Sequence, residues 1–227
     1  MDDQEKRTLD MFKRVRDLDA AHDNLFPAGT LGRDLFDTIG GVINDLDGFA
    51  SAESEGEGTA RQGTISKATA KAAINEDLGI FRRTARSMSG VIPGIEEKFP
   101  LPYKLDGQEL VAAARAALAV AVEHKAEFIR REVQERVYQD LETNLAAYEA
   151  ALTSQNTGKG ARQEAGVSID AAIDLGMDTL HQLDPIFRNK VHNNPALLAA
   201  WLSAKRIERA PRRNKTNKPP TPATPKE

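Results

Sequence analysis

The chain has 227 residues, of which 40% are hydrophobic and 29% are charged, and its formal net charge is −3. This apolar content is sufficient for a buried core. Because the chain contains no cysteine, disulfides, thiolate metal sites, cysteine nucleophiles and thiol redox chemistry are excluded. No apolar leader opens the chain, and no apolar run approaches the roughly 20 residues that span a bilayer. We therefore expect a cytoplasmic protein without a transmembrane segment.

The first half of the chain predicts four helices, A to D. A breaker at 26–30 separates helix A from helix B, with Thr30 as the N-cap of B. Serine and glycine at 51–58 predict a flexible loop between helices B and C, and a short helix D follows Pro93. Helices B and C each carry apolar residues spaced three or four apart, which is the period of an α-helix: Leu35, Ile39, Ile43 and Leu46 in B, and Ile74, Leu78, Phe81, Ala85 and Met88 in C.

The second half predicts the same helices with weaker punctuation. No Gly or Pro occurs between Gln108 and Asn156, but comparison with the first half predicts a bend or break near 129–133. The segment 154–160 predicts a second flexible loop. Pro185 predicts a kink or a restart within helix C, and Asn194-Pro195 predicts the start of the last helix, which Trp201 should anchor.

An internal repeat accounts for this parallel. Shifting the chain by 102 residues aligns apolar and aromatic positions of the two halves without a net gap. The copies span about 8–100 and 110–202. We therefore predict an all-α bundle of two tandem pseudo-symmetric repeats with long antiparallel helices, forming a single helical domain over 1–210. The matched pairs include Phe36 with Tyr138, Phe81 with Leu183, Phe99 with Trp201, His22 with His124, and Gly56 with Gly158.

Histidine offers the first candidate site. His22 and His124 occupy equivalent positions of the two copies, so pseudo-twofold symmetry could bring them together as a weak metal or ligand site. The simpler interpretation is a polar side chain near the end of helix A that bonds a neighbour. Neither Glu-x-x-His nor His-x-x-x-His spacing occurs, so we predict no metal site, no catalytic residue and no cofactor.

Basic side chains offer the second candidate. Arg61 and Arg162 stand in the two glycine segments, where a following helix C would place them near its N-terminus as anion- or partner-binding groups. A flexible connection is the simpler reading, because neither segment follows a strand as a phosphate loop does. Residues 205–227 carry about +6 against about −9 for the rest, and we predict a disordered tail over 211–227. Its candidate partner-binding residues are Arg209, Arg212, Arg213, Lys215 and Lys218.

Several strings resemble those of a family of small bacterial proteins. They are Phe-Pro-Ala-Gly-Thr at 26–30, Gly-Thr-Ala-Arg-Gln-Gly-Thr at 58–64, Arg-Thr-Ala-Arg at 83–86, Gln-Asn-Thr-Gly-Lys-Gly-Ala at 155–161 and Glu-Arg-Ala-Pro-Arg-Arg at 208–213. The resemblance implies a bacterial source and an all-helical fold. It implies no activity, cofactor or catalytic residue.

These observations favour a non-catalytic binding or scaffolding protein. It would engage a macromolecule, a protein rather than nucleic acid, through its surface or its basic tail, and the tail could also contact a polyanion. The alternative is a metal- or small-molecule-binding bundle with its site between the repeats near His22 and His124. An enzyme with an unrecognised site is the third hypothesis.

Overall fold

The computed structural model describes residues 1–99 and 104–208. Over these ranges the chain is all-helical, as predicted, with six α-helices, a 3-10 helix and no strand. None of these helices is both long and apolar enough to cross a membrane. The α-helices are α1 (Asp3–Ala20), α2 (Leu31–Met88), α3 (Gly107–Glu123), α4 (Lys125–Ile129), α5 (Arg136–Lys190) and α6 (Pro195–Ala204), and the 3-10 helix is Glu96–Lys98.

The chain divides into two compact units. Unit 1 comprises Met1–Asp47 and Asp170–Glu227, and unit 2 comprises Gly48–Ile169. Neither unit coincides with one predicted copy. Each combines the first helix of one copy, α1 or α3, with the last helical segments of the other, because α2 and α5 each contribute to both units.

An aromatic cluster organises the core of unit 1. The Trp201 and Phe187 rings stack with their centroids 4.2 Å apart, and Phe36 meets Trp201 edge-on at 6.3 Å. Phe26 lies 5.5 Å from Phe36. Trp201 is fully buried, as predicted from its place in the last helix. Aromatic pairs in these geometries add to the stabilisation that comes from burying their area.

A second aromatic cluster organises the core of unit 2. Phe81 lies 4.9 Å from Tyr138 and 5.6 Å from Phe128, and Phe99 completes the group at 5.7 Å from Phe128. All four side chains are buried. The predicted burial of Phe81, Phe99 and Tyr138 is therefore confirmed.

The two predicted glycine loops do not exist. Residues 51–58 and 154–160 are helical, so the predicted helices B and C are continuous as α2 and again as α5. Tertiary packing overrides the weak helix propensity of glycine here. A Cβ on Gly56 would lie 2.8 Å from the backbone nitrogen of Arg162, and one on Gly158 would lie 2.4 Å from that of Ala60. The glycines thus allow the two backbones to touch.

The predicted break near 129–133 is confirmed, because α4 ends at Ile129 and α5 begins at Arg136. Glu132 has a φ of 64°, and the Val133 N–H donates to the Phe128 carbonyl at 3.1 Å. This is the hydrogen bond of a helix-terminating Schellman motif, with Glu132 at the left-handed position that glycine usually fills. The break is therefore made without the residue that normally signals it.

The other predicted boundaries have mixed outcomes. Helix α5 continues through Pro185, so no restart occurs there. Asn194 caps α6 by accepting from the Leu197 N–H at 3.1 Å, with Pro195 in the first turn, as predicted. Thr30 directly precedes α2 and accepts weakly from the Arg33 N–H at 3.4 Å. The predicted helix D of the first copy is only a three-residue 3-10 turn. The predicted tail, 211–227, lies outside the described residues.

Candidate functional site: an acidic cavity in unit 2

An open cavity of about 520 Å³ lies in unit 2, lined by the end of α2, the turn before α5 and the first turns of α5. Its charged lining residues are mostly acidic: Glu76, Asp77, Glu132 and Asp140, with Arg136 as the cation among them. Arg136 Nε lies 4.0 Å from an Asp140 oxygen. A cleft lined by one sign of charge concentrates ions of the opposite sign. This cavity is therefore suited to a positively charged group.

Asp77 is the buried member of this set, with 8% of its surface exposed. Its Oδ2 accepts a hydrogen bond of 2.7 Å from the Asn144 side-chain amide. Within residues 1–99 and 104–208, its Oδ1 accepts no hydrogen bond and no cation pairs with it. A buried carboxylate without a cation carries a desolvation cost that one neutral amide offsets only in part.

The environment of Asp77 favours a proton or a cation at this position. Burial raises the pKa of the Asp77 carboxyl, the hydrogen bond from Asn144 opposes the rise, and the negative charges of Asp140 and Glu76 add to it. Perturbed carboxyls in clefts are concentrated at functional sites. A bound cation would relieve the same three effects that raise this pKa.

Another carboxylate of unit 2 shows the opposite arrangement. Asp106, at the start of α3, accepts from Lys67 at 2.9 Å, from Lys71 at 3.3 Å and from the Tyr148 hydroxyl at 2.7 Å. The hydrogen bonds from Lys67 and Tyr148 lower the pKa of Asp106 well below its usual range. The Tyr148 hydroxyl also accepts from the Gly107 N–H at 2.8 Å. The two lysines thus balance the charge of the Asp106 carboxylate, and the network fastens α3 to α2 and α5. We assign it a structural role.

The two candidate histidines lie in different units. His22 is exposed in the turn after α1, where it lines a shallow cavity of about 340 Å³ with Leu197. His124 is half-buried at the junction of α3 and α4. Over the described part of the chain, no group of three or more His, Asp or Glu side chains could hold a metal ion. A ligand site near these histidines stays a prediction.

The candidate arginines lack the setting on which their prediction depended. Arg61 and Arg162 are exposed and stand within α2 and α5, far in sequence from either helix N-terminus. Arg61 pairs with Glu57 at 3.2 Å, and Arg162 approaches Glu53 at 4.0 Å. Both pairs are at least half-exposed on one side and contribute little to stability. The other candidates, Arg209, Arg212, Arg213, Lys215 and Lys218, lie outside the described residues.

Sequence reasoning missed the acidic cavity, although a signal was present. Asp77 stands three residues after Ile74 and four before Phe81, inside the apolar stripe of α2. A carboxylate at a core-facing position is unusual and points to a partner or a function. Asn144 likewise stands three residues after a stripe residue, Leu141. Only the fold brings these two side chains together.

Comparison with known proteins adds no relative. No family model matches this chain, no curated protein is significantly similar to it, and no solved structure matches it. The resemblance to a small bacterial family therefore stays a prediction from the quoted strings.

Proposed function

We propose that this chain is a non-catalytic helical binding protein that engages a protein partner, and that the acidic cavity of unit 2 recognises a basic group of that partner. The observation that carries the proposal is Asp77, a carboxylate that is 8% exposed at an open acidic cavity and forms no ion pair with any of the described residues. Burial of its ionised form lowers stability unless a cation is bound, and a binding role accounts for this cost.

The predicted duplication is part of this proposal. Gly56 lies beside Arg162, and Gly158 lies beside Ala60. The 102-residue offset converts the first contact into the second, because it relates Gly56 to Gly158 and Ala60 to Arg162. The aromatic trio Phe26, Phe36 and Trp201 of unit 1 corresponds in the same way to Phe128, Tyr138 and Phe99 of unit 2. Both observations support pseudo-twofold repeats with antiparallel long helices.

The duplication supplies an internal control for the cavity. By the same offset, Asp77 and Asn144 correspond to Thr179 and Val42 of unit 1. Thr179 is buried and donates to the Leu175 carbonyl of its own helix at 2.7 Å, and Val42 is buried. The repeat thus packs at this position without a carboxylate or an amide, which supports a role for Asp77 and Asn144 beyond folding.

The test is retention of a partner by matched variants in extracts of the native cell. The cavity variant Glu76→Gln/Asp140→Asn removes two cavity charges, and the control Asp170→Asn/Asp174→Asn removes two exposed charges of α5 in unit 1. We expect one protein to be retained stoichiometrically by the wild type and the control and lost by the cavity variant. Equal retention by all three would contradict the use of this cavity. A cytoplasmic location belongs to the same proposal and is tested by fractionating the cells.

A further inference from the structure

One oxygen atom defines the ligand chemistry of the acidic cavity. The Asp77 Oδ2 is engaged by the Asn144 amide at 2.7 Å, which leaves Oδ1 as the acceptor without a donor in the described residues. A guanidinium binds a carboxylate best through two parallel hydrogen bonds that use both oxygens. An ammonium is a compact point charge that needs only one.

The surrounding charges suit an ammonium as well. Glu76 and Asp140 act on the Asp77 carboxylate electrostatically, and each belongs to the cavity lining. Asp140 is 54% exposed at its side chain, so it can turn toward a ligand without first losing a buried partner. Three carboxylates around one cationic head group would offset its loss of hydration. Apolar side chains in the same lining, Ile80, Val133 and Val137, can contact an alkyl stem.

From this geometry, and resting on the proposed function, we infer that the cavity binds a primary alkylammonium ion, with its head group on Asp77 Oδ1 and its stem against Ile80 and Val137. Two sources carry this group: a lysine side chain of a protein and a free polyamine. Both sources share the recognition chemistry and differ only in what is attached to the alkyl stem. The proposed function favours lysine, because the proposed partner is a protein.

The experiment is a calorimetric titration of the full-length protein with n-butylammonium and, separately, with n-butylguanidinium at constant ionic strength. The variant Asp77→Asn keeps the size of the side chain and an oxygen for Asn144. The matched control Glu55→Gln removes an exposed charge of α2 outside the cavity. We expect saturable binding of butylammonium, about tenfold weaker in Asp77→Asn and changed less than twofold in Glu55→Gln. Circular dichroism establishes that each variant is folded.

Three results would overturn the inference. These are no saturable butylammonium binding by the wild type, tighter binding of butylguanidinium, or equal weakening by Glu55→Gln. If Asp77→Asn is unfolded, Asp140→Asn replaces it. We expect Asp140→Asn to bind butylammonium at least threefold more weakly than the wild type, and unchanged binding would contradict the inference. Competition by Nα-acetyl-lysine methylamide and by putrescine separates the two sources. If the wild type does not bind butylammonium but still retains a protein partner through the cavity, this inference is overturned and the proposed function stands.

Discussion

At the scale of single residues, two carboxylates on the long helices have opposite effects because they have different partners. Asp184 of α5 accepts from the Trp201 indole at 2.7 Å, from Lys205 at 2.7 Å and from Arg188 at 3.0 Å. Asp77 of α2 has only the neutral Asn144 amide. The first carboxylate therefore stabilises unit 1 in its ionised form, whereas the second costs unit 2 stability when it is ionised.

Asp184 gives a prediction about pH. Burial raises the pKa of this carboxyl, but the hydrogen bonds from Lys205, Trp201 and Arg188 outweigh it and lower the pKa to about 2. Because the folded pKa lies below the ordinary value of 3.8, the stabilisation is complete above that value and is lost as pH falls toward 2. Asp184→Asn should lower the free energy of unfolding by about 2 kcal/mol at pH 6 and by about half that at pH 3.

Urea unfolding of both proteins at the two pH values measures this difference. The comparison with wild type at each pH cancels the titration of the other carboxylates. A loss that is the same at pH 6 and pH 3 would show that the charge of Asp184 contributes nothing.

Trp201 gives a second prediction at this scale. Replacement by alanine removes a fully buried side chain that stacks on Phe187 at 4.2 Å, so it should cost roughly 3–5 kcal/mol through the cavity left behind. Trp201→Phe keeps the stacking and loses the hydrogen bond to Asp184, and it should cost less. Unfolding followed by circular dichroism suits both variants, since Trp201 is the only tryptophan. A cost below about 1 kcal/mol for alanine would contradict the anchoring role.

At the scale of elements, α2 and α5 touch through positions that carry no side chain. A Cβ on Gly63 would lie 2.6 Å from the backbone nitrogen of Gln155. Cβ atoms on Gly56 and Gly158 would likewise lie within 3 Å of a backbone nitrogen of the opposite helix. Gly56, Gly63 and Ala70 recur every seven residues, which keeps small residues on one face of α2. The residues that resembled loop signals are therefore the contact face of two long helices.

Paired glycine substitutions test this contact. Gly158→Ala places a methyl group 2.4 Å from the backbone nitrogen of Ala60, and it should destabilise the protein by about 1–3 kcal/mol because a backbone must move. Gly160→Ala, two residues further along α5, meets nothing within 4 Å and should stabilise the protein by about 0.5–1 kcal/mol through helix propensity. Thermal unfolding of the two variants checks both signs. Gly56→Ala and Gly58→Ala repeat the pair on α2, and equal effects within either pair would refute the close approach.

Helix existence could be predicted from the sequence, but helix continuity could not. The stripes of Ile74 to Met88 and Leu35 to Leu46 each gave a helix with the observed buried face. Local rules then predicted a loop at Gly56 and Gly58, since the sequence around Gly56 does not reveal that a Cβ there would lie 2.8 Å from the backbone nitrogen of Arg162. The cavity was missed for a similar reason. Asp77 and Asn144 are 67 residues apart, and nothing near either one identifies the other.

At the scale of the whole molecule, charge is unevenly distributed along the chain. Removing residues 211–227 deletes five positive side chains, Arg212, Arg213, Lys215, Lys218 and Lys226, and no described helix. The thermal midpoint should therefore change little. If the segment contacts a polyanion, the truncated protein should lose salt-sensitive binding to DNA, RNA or acidic lipid that the full chain shows.

A fluorescence titration at low and moderate salt compares the two forms. The variant Arg212→Gln/Arg213→Gln in the full chain keeps the length of the segment and serves as the charge control. Equal binding by full and truncated chains would eliminate the polyanion hypothesis, as would no binding by either.

The interleaved order of the segments has a consequence for synthesis on the ribosome. Unit 2 is encoded without interruption, so all of it has emerged once residue 169 has left the exit tunnel. Helix α1 emerges before unit 2, yet its apolar face is covered by segments made after unit 2: Phe12 lies against Gly176, and α1 packs on α6. During most of translation Met11, Phe12 and Val15 therefore lack their native cover. The nascent chain therefore presents an amphipathic helix that chaperones can bind, and the native packing of α1 waits until α6 has been translated.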